Sequence, residues 1–218
     1  MTTALVYSAL VFALFVLRAI YVIIFPPRKR FSSGQTCRLA IFLGSGGHTS
    51  EMLQMLQGLN FERYEPRLYL VSQGDILSAE KAAEFESKSS FPPAFTIVTI
   101  PRARKVLQPL WTTPWTTLIS LVSCLQEVSF GLVVRGKPFA DLLLLNGPGT
   151  CVPLFIAVFI NRFLGLPSPR VVYVESFTRV KKLSLSAHLL RPFVDCFVVQ
   201  WPGLHRGGRR DRYSDWLI

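Results

Sequence analysis

Several short motifs that define common enzyme classes are missing from this sequence of 218 residues. No two aspartates are spaced as Asp-x-Asp, the pair that commonly binds the divalent metal of a nucleotide-sugar, and this disfavours a metal-dependent glycosyl transfer. The sequence has no G-x-S-x-G nucleophile elbow, so a Ser-His-Asp hydrolase has no support. No Lys-Ser or Lys-Thr pair follows a glycine-rich segment, which excludes a Walker-type nucleotide loop.

Metal-binding cysteine patterns are absent as well. The four cysteines, Cys37, Cys124, Cys151 and Cys196, show no C-x-x-C or Cys/His spacing. We therefore predict reduced core thiols in the cytosol, with no metal site and no cofactor.

Acidic residues are scarce, with 13 Asp and Glu against 24 Lys and Arg, and the formal net charge is +11. The basic residues are spread over separate segments instead of forming one recognition helix, so we predict no nucleic-acid partner. Anionic lipid head groups or a phosphorylated substrate explain the positive charge more simply.

A long apolar run covers residues 4–25 and is interrupted only by Arg18. About twenty such residues, at about 1.5 Å each, cover a bilayer core of roughly 30 Å. A buried helix and a cleavable signal peptide are the alternatives. The signal peptide is disfavoured because Met1-Thr2-Thr3 has no charged side chain and the run ends in Phe25-Pro26-Pro27. We predict a single transmembrane anchor over residues 1–27, whose Arg18 reaches the interface or a partner helix.

A basic linker is predicted over residues 28–36, which begin with Arg28-Lys29-Arg30. Positive charge next to a span marks its cytosolic side, so residues 37–218 are expected in the cytosol.

Short β-rich runs alternate with helical segments in the remainder of the chain. This alternation predicts an α/β domain with a Rossmann-like, mostly parallel sheet covered on both faces, behind one N-terminal transmembrane helix. The expected strands are residues 38–43, 68–71, 95–100, 141–145, 171–174 and 196–200. The expected helices are residues 49–59, 76–88, 116–130, 151–164 and 183–190. The apolar helix 151–164 is predicted as a buried helix, with insertion into one face of the membrane as the alternative.

Polar and glycine-rich turns follow four of these strands, and ligands of such sheets bind at the carboxyl ends of the strands. We call Gly44-Ser45-Gly46-Gly47-His48 the first glycine turn and Asn146-Gly147-Pro148-Gly149-Thr150 the second glycine turn. A glycine turn at a helix start presents N–H groups to a phosphate, although it also serves only to pack helix on sheet.

The other turns carry charge. Arg102 and Arg104 follow the third strand, close to Trp111 and Trp115, and form either a solvated loop or a clamp on phosphate or head groups. Glu175 follows the fifth strand and either accepts sugar hydroxyls, acts as a base, orients His48, or only lies near a helix start. His48 is either a general base, a helix cap or a packed core residue.

The combination of motifs resembles one known family, the membrane-anchoring subunit of the two-subunit N-acetylglucosaminyltransferase of the endoplasmic reticulum. The resemblance covers nearly the whole chain, although the basic, glycine-rich stretch of residues 206–212 departs from it. The matching motifs are Gly44-Ser45-Gly46-Gly47-His48-Thr49, Pro101-Arg102-Ala103-Arg104, Asn146-Gly147-Pro148-Gly149-Thr150-Cys151, Tyr173-Val174-Glu175-Ser176-Phe177, Arg179-Val180-Lys181, Leu183-Ser184-Leu185-Ser186 and Val199-Gln200-Trp201-Pro202-Gly203.

This resemblance implies the acceptor-binding half of a GT-B glycosyltransferase, similar to the N-terminal domain of MurG-like enzymes. The implied reaction moves N-acetylglucosamine (GlcNAc) from its UDP-sugar onto GlcNAc-diphosphate-dolichol, in the assembly of the lipid-linked oligosaccharide for protein N-glycosylation. The UDP-sugar domain would belong to a soluble partner subunit, and the chain alone is expected to be inactive. The implied location is the endoplasmic reticulum membrane, with the nuclear envelope as a second site.

The resemblance also implies roles for individual residues. His48 and Glu175 would be catalytic, and Trp216, Leu217 and Ile218 would dock the partner. The acceptor diphosphate would be bound by Gly44, Ser45, Gly46, Gly47, Arg102, Arg104, Asn146, Gly147 and Gly149.

Two other functions stay open at this point. A membrane scaffold without any ligand role predicts the same anchor and partner. A self-sufficient nucleotide-binding enzyme would need a ribose-binding carboxylate after the second strand, where Asp75 lies, but the first glycine turn lacks dinucleotide spacing.

Overall fold

The computed structural model describes residues 2–26, 34–88, 94–104, 108–130, 136, 138–215 and 217. The chain begins with helix α1 (Thr2–Ile24). Its stretch Thr3–Ile24 is long and apolar enough to cross a membrane, and only 6% of its most apolar window is buried against the rest of the chain. This agrees with the predicted apolar helix. The predicted basic residues 28–30 lie outside the described residues.

Strands and helices then alternate in the predicted order. The strands are β1 (Leu39–Leu43), β2 (Arg67–Ser72), β3 (Phe95–Ile100), β4 (Leu142–Asn146), β5 (Arg170–Val174), β6 (Cys196–Val199) and β7 (Asp211–Tyr213). The helices are α2 (Gly47–Leu56), α3 (Ile76–Ser87), α4 (Thr113–Leu125), α5 (Cys151–Phe163) and α6 (Leu185–Leu190). A 3-10 turn (Leu110–Thr112) precedes α4, and a π-helical turn (Gln126–Phe130) follows it.

The seven strands form one parallel sheet in the order β3-β2-β1-β4-β5-β6-β7. The chain runs from β1 outwards to β3, and then crosses back to place β4 on the other side of β1. This reversal between β1 and β4 is the switch point at which doubly wound sheets leave a crevice for ligands. Both glycine turns follow these two strands.

Both faces of the sheet are covered by helices, which explains why the central strands are apolar at nearly every position. All five residues of β1 are buried. Leu39, Ile41 and Leu43 pack in the cluster that includes Met52 of α2 and Ala82 of α3. The larger cluster on the other face contains side chains of α4, α5 and α6, so the predicted burial of the 151–164 helix is confirmed.

Helix α1 is joined to the domain through the carboxyl end of α5. The Arg18 guanidinium donates from Nε to the Phe163 carbonyl at 2.9 Å and from Nη2 to the Arg162 carbonyl at 3.1 Å. The rings of Phe15 and Phe163 pack beside this contact, 4.6 Å apart at their centroids. The predicted partner helix for Arg18 is therefore α5 of the same chain.

Candidate functional site

The two glycine turns pack against each other at the switch point. A Cβ atom on Gly44 would lie 2.4 Å from Cδ of Pro148, and a Cβ on Gly147 would lie 2.5 Å from Cγ of His48. Gly147 also has a φ of +98°, which disfavours any other residue. Each turn thus needs a glycine where the other turn, or the imidazole, takes the space of a side chain.

The first glycine turn opens α2 without a side-chain cap. Ser45 and Gly46 have positive φ values of 51° and 57°, and the N-cap residue, Gly46, has no side chain to accept a hydrogen bond from the first turn of α2. In contrast, Asp75 caps α3 and Ser184 caps α6. The first N–H groups of a helix carry partial positive charge, so the start of α2 is suited to an anion.

Arg102 brings a full positive charge to the same place. Its Nη2 donates to Oγ of Ser45 at 3.3 Å and its Nε donates to the Gln73 carbonyl at 3.1 Å. Arg104 points elsewhere, because its guanidinium donates to the Gln108 carbonyl at 2.9 and 3.2 Å. The structure therefore joins only the first of these two arginines to the glycine turn. The arginine also borders a cavity of about 420 Å³, lined by Gln73, Gly74, Pro101, Arg102, Thr116 and Ile119.

Asp75 lies close to this arginine but serves α3. Its Oδ1 accepts from the Ser78 N–H at 3.2 Å, which is an N-cap contact. Burial raises the pKa of Asp75, but hydrogen bonds from Ser78 and Ser45 and the charge of Arg102 outweigh that effect and lower it below the ordinary value. The carboxylate is thus used to hold the turn together, which weakens its interpretation as a ribose ligand.

His48 lies at the start of α2 with its imidazole 33% exposed. Nδ1 is 2.8 Å from Oδ1 of Asn146, and Nδ2 of Asn146 donates to Oε2 of Glu51 at 3.0 Å. The second oxygen of Glu51 accepts from the Ser176 hydroxyl at 2.8 Å. His48 follows β1, Asn146 is the last residue of β4 and Ser176 follows β5. These three strands are adjacent in the sheet.

Two of the predicted site residues have polar side chains that are buried within this region. Asn146 is 0% exposed and Glu175 is 1% exposed. Both ends of the Asn146 amide bind His48 and Glu51, so its side chain does not face a diphosphate. Glu175 accepts from the Ser176 N–H at 3.0 Å and from the Ser184 N–H at 2.8 Å, and Asn146, not Glu175, orients His48. The carboxylate that sequence reasoning missed is Glu51, and its signal is the i, i+3 spacing from His48 on a helix.

Two more of the predicted residues, Gly149 and Leu217, lie at the same edge of the sheet. Gly149 is exposed in the second glycine turn. The N–H of Leu217 donates to Oε1 of Gln200 at 3.3 Å, just beyond β6. Trp216 and Ile218 lie outside the described residues, so their docking role stays a prediction.

The four cysteines are in the thiol form and not in disulfides, and three of them are buried. Burial raises the pKa of Cys124 to about 12 and also raises the pKa of Cys151, next to the second glycine turn. Such thiols are poor nucleophiles and poor metal ligands. Within the described ranges, no group of three or more His, Cys, Asp or Glu residues is arranged to hold a metal ion.

These features define a class of protein: a doubly wound α/β domain with a glycine-opened helix, an arginine and a histidine at its switch point. The family model described as "Oligosaccharide biosynthesis protein Alg14 like" matches residues 39–217. The chain belongs to this family.

Relatives of this chain are named UDP-N-acetylglucosamine transferase subunit ALG14. The protein of that name from Cryptococcus neoformans (strain JEC21) is 46% identical over 171 residues, which cover 76% of this chain and 74% of the relative. The Yarrowia lipolytica protein is 39% identical over 223 aligned positions, covering 100% and 99% of the two chains. The human protein is 40% identical over 176 residues, with 78% of each chain covered.

Proposed function

We propose that this chain is the membrane subunit of an N-acetylglucosaminyltransferase that extends a lipid-linked GlcNAc-diphosphate acceptor. The names of the relatives supply the donor, UDP-N-acetylglucosamine, and the word "subunit" implies a partner chain. In this proposal the chain holds the dolichol-linked acceptor at the cytosolic face of the endoplasmic reticulum. A soluble subunit supplies the UDP-sugar site, as in the two halves of a GT-B enzyme.

One observation carries the proposal: the start of α2, the Arg102 guanidinium that contacts Ser45 and the His48 imidazole all lie at the first glycine turn, at the carboxyl edge of the sheet. The first two attract an anion, through oriented N–H groups and a full charge respectively. A diphosphate placed there would bring the attached sugar within reach of His48. The site thus offers both binding and a proton acceptor for the same substrate.

The chemistry that these residues support is a single displacement at the donor sugar. The acceptor hydroxyl attacks the anomeric carbon, a C–O bond forms, and the bond to the UDP oxygen breaks. His48 takes the hydroxyl proton as this bond forms. In this proposal the leaving diphosphate of UDP is stabilised by groups of the partner subunit, because that subunit holds the UDP-sugar.

Glu175 is not part of this proposed chemistry. Its two oxygens already accept hydrogen bonds from Ser176 and Ser184, and the side chain is buried. It orders the loop from β5 to α6, which explains why a carboxylate follows this strand.

The membrane contact extends beyond α1 in this proposal. Helix α4 and the 3-10 turn before it leave an apolar stripe exposed, with Trp111 at 83% and Trp115 at 67%, continued by Leu118, Ile119 and Val122. Helices α4 and α5 cover the same sheet face, and α1 docks on α5. Arg18 lies six residues before the end of α1, about 9 Å along the helix axis. The domain therefore lies against the bilayer, where a lipid-linked acceptor would reach it.

Reconstitution tests the proposal. Without a partner, the purified full chain should transfer no GlcNAc from UDP-GlcNAc to GlcNAc-diphosphate-lipid. Transfer should begin when a soluble donor-domain subunit is added. In that complex, His48→Ala should lower kcat by about 100-fold or more, because general bases contribute about 10²- to 10⁴-fold. The exposed histidine on α6 provides the matched control, His188→Ala, which should retain full turnover.

Two results would contradict this function. Turnover by the chain without any partner would show a complete enzyme. Full turnover by His48→Ala and Arg102→Ala complexes would leave only the role of a membrane scaffold.

A further inference from the structure

We propose that Glu51, acting through Asn146, sets the tautomer and orientation of His48, so that Nε2 is the basic nitrogen. This deepens the proposed function and rests on it only for the catalytic consequence. Glu51 itself is a positioning residue, because Asn146 lies between its carboxylate and the imidazole. The distance from Nδ1 of His48 to Oε2 of Glu51 is 4.0 Å, too long for a direct hydrogen bond.

The orientation of the Asn146 amide follows from the chemistry of its neighbours. An ionised carboxylate has no proton to donate, so the atom of Asn146 that faces Oε2 of Glu51 must be the NH₂ group. The amide oxygen then faces Nδ1 of His48, at 2.8 Å. Rotating the amide by 180° would place an oxygen against the carboxylate. Glu51 therefore determines which end of Asn146 the imidazole meets.

The tautomer of the imidazole follows in turn. The amide oxygen only accepts, so Nδ1 must carry the proton and donate it to Asn146. In a neutral imidazole, Nε2 then keeps its lone pair. Among the described residues no hydrogen bond to Nε2 is found, so this lone pair remains for a substrate hydroxyl.

Glu51 is held in place from its other side. The Ser176 hydroxyl donates to Oε1 at 2.8 Å, and the hydroxyls of Ser176 and Thr178 are 2.9 Å apart. The Glu51 side chain is only 11% exposed, so water competes weakly for it. When His48 takes a proton from the substrate, the same carboxylate lies 4.0 Å from the new positive charge. The arrangement thus favours one neutral tautomer before transfer and the charged form after it.

The direct test is the tautomer of His48 in the full chain in detergent, measured by two-bond ¹⁵N–¹H correlations of ¹⁵N-labelled imidazoles. The sequence has only three histidines, and His48→Ala assigns the relevant signals. We expect His48 to be protonated at Nδ1. Predominant protonation at Nε2 in the wild-type chain would overturn the proposal, whatever the activity of the complex.

Glu51→Gln separates charge from size. A glutamine amide can face Asn146 with either end, so the variant should show a mixture of His48 tautomers, while the His188 and His205 signals stay unchanged as a check of the fold. In the active complex, kcat should fall about tenfold or more with KM for the acceptor nearly unchanged. Unchanged tautomers in Glu51→Gln would refute the relay.

This test is independent of the enzyme assay. If the complex proves to lack transferase activity, the tautomer measurement still decides whether Glu51 orients His48. If Glu51→Gln fails to fold, the wild-type measurement still tests the proposal, because protonation of His48 at Nε2 would refute it.

Discussion

The candidate site depends on glycines whose missing side chains make room for neighbours. Gly147 lies under the imidazole of His48, and Gly44 lies against Pro148. The sequence suggested that both turns face a phosphate, because glycine turns after strands commonly do. The structure gives two of these glycines a packing role as well, and Gly147 leaves the room that the imidazole needs beside Asn146.

A substitution at Gly147 should therefore act through His48. In Gly147→Ala the new methyl group would displace the imidazole ring of His48. The alanine backbone would also have to adopt a φ of +98°, which lowers the free energy of unfolding by about 1–3 kcal/mol. We expect turnover of the complex to fall by about tenfold or more. The measurement is steady-state transfer with the lipid acceptor, together with a thermal melt of the chain.

Gly149 offers the matched control in the same turn. A Cβ atom there meets nothing within 4 Å, and Gly149→Ala keeps the backbone N–H. This variant should behave nearly like the wild type. Equal losses in both variants would show that the turn tolerates no methyl group at all, and would contradict a specific contact between Gly147 and His48.

Individual site residues were predictable only where a motif exposes them. His48 and Arg102 could be chosen because they follow predicted strands, and both lie at the glycine turn. The roles of Asn146 and Glu51 could not be assigned, since their burial and pairing depend on how three separate strands come together. A sequence states that a carboxylate or amide is present, but not which neighbours already use its hydrogen bonds.

The hydrophobic pattern of the sequence predicted all six longer strands, because buried parallel strands are continuous apolar runs. Strand β7 was missed, since its three residues, Asp-Arg-Tyr, have no apolar pattern. An ion pair holds it instead, between Arg191 of the loop after α6 and Asp211. Pairing of this kind joins residues that are distant in sequence, and no local pattern marks it.

The contact between helices α1 and α5 depends on one residue, Arg18. Arg18 donates to the last carbonyls of α5, where the helix dipole is negative. We expect Arg18→Leu to fray this end, with backbone amides of residues 164 and 165 exchanging hydrogen about tenfold faster or more, because a hydrogen bond to a charged group contributes about 1.5 kcal/mol or more. Hydrogen exchange with mass spectrometry measures this.

Leu17→Ala is the control for that experiment, since Leu17 is a 61% exposed neighbour on the same helix. Its exchange pattern at residues 164 and 165 should match the wild type. If Arg18→Leu leaves these amides as protected as before, the arginine does not hold α5, and α1 is only a tether.

The chain presents one edge of its sheet as an open surface. Both glycine turns, Arg102 and the backbone leading into the C-terminal tail lie along the carboxyl ends of the strands. Gln200 links the tail to this edge, because its amide donates to the Glu175 carbonyl and accepts from the Leu217 N–H. A partner that covers the edge would therefore meet the candidate site and the tail together.

The tail should contribute to partner binding through its apolar residues. Deleting residues 216–218 removes Trp216, Leu217 and Ile218, and a docked tryptophan contributes about 2 kcal/mol or more at an interface. We expect the dissociation constant for the soluble subunit to rise about tenfold or more, as measured by pull-down titration with detergent-solubilised full chain. The control is Arg206→Ala/Arg209→Ala, two exposed cations in the preceding stretch, which should bind nearly as the wild type does. If the arginine variant binds more weakly while the deletion variant binds as the wild type does, the docking depends on charge, because apolar burial is insensitive to the loss of surface cations.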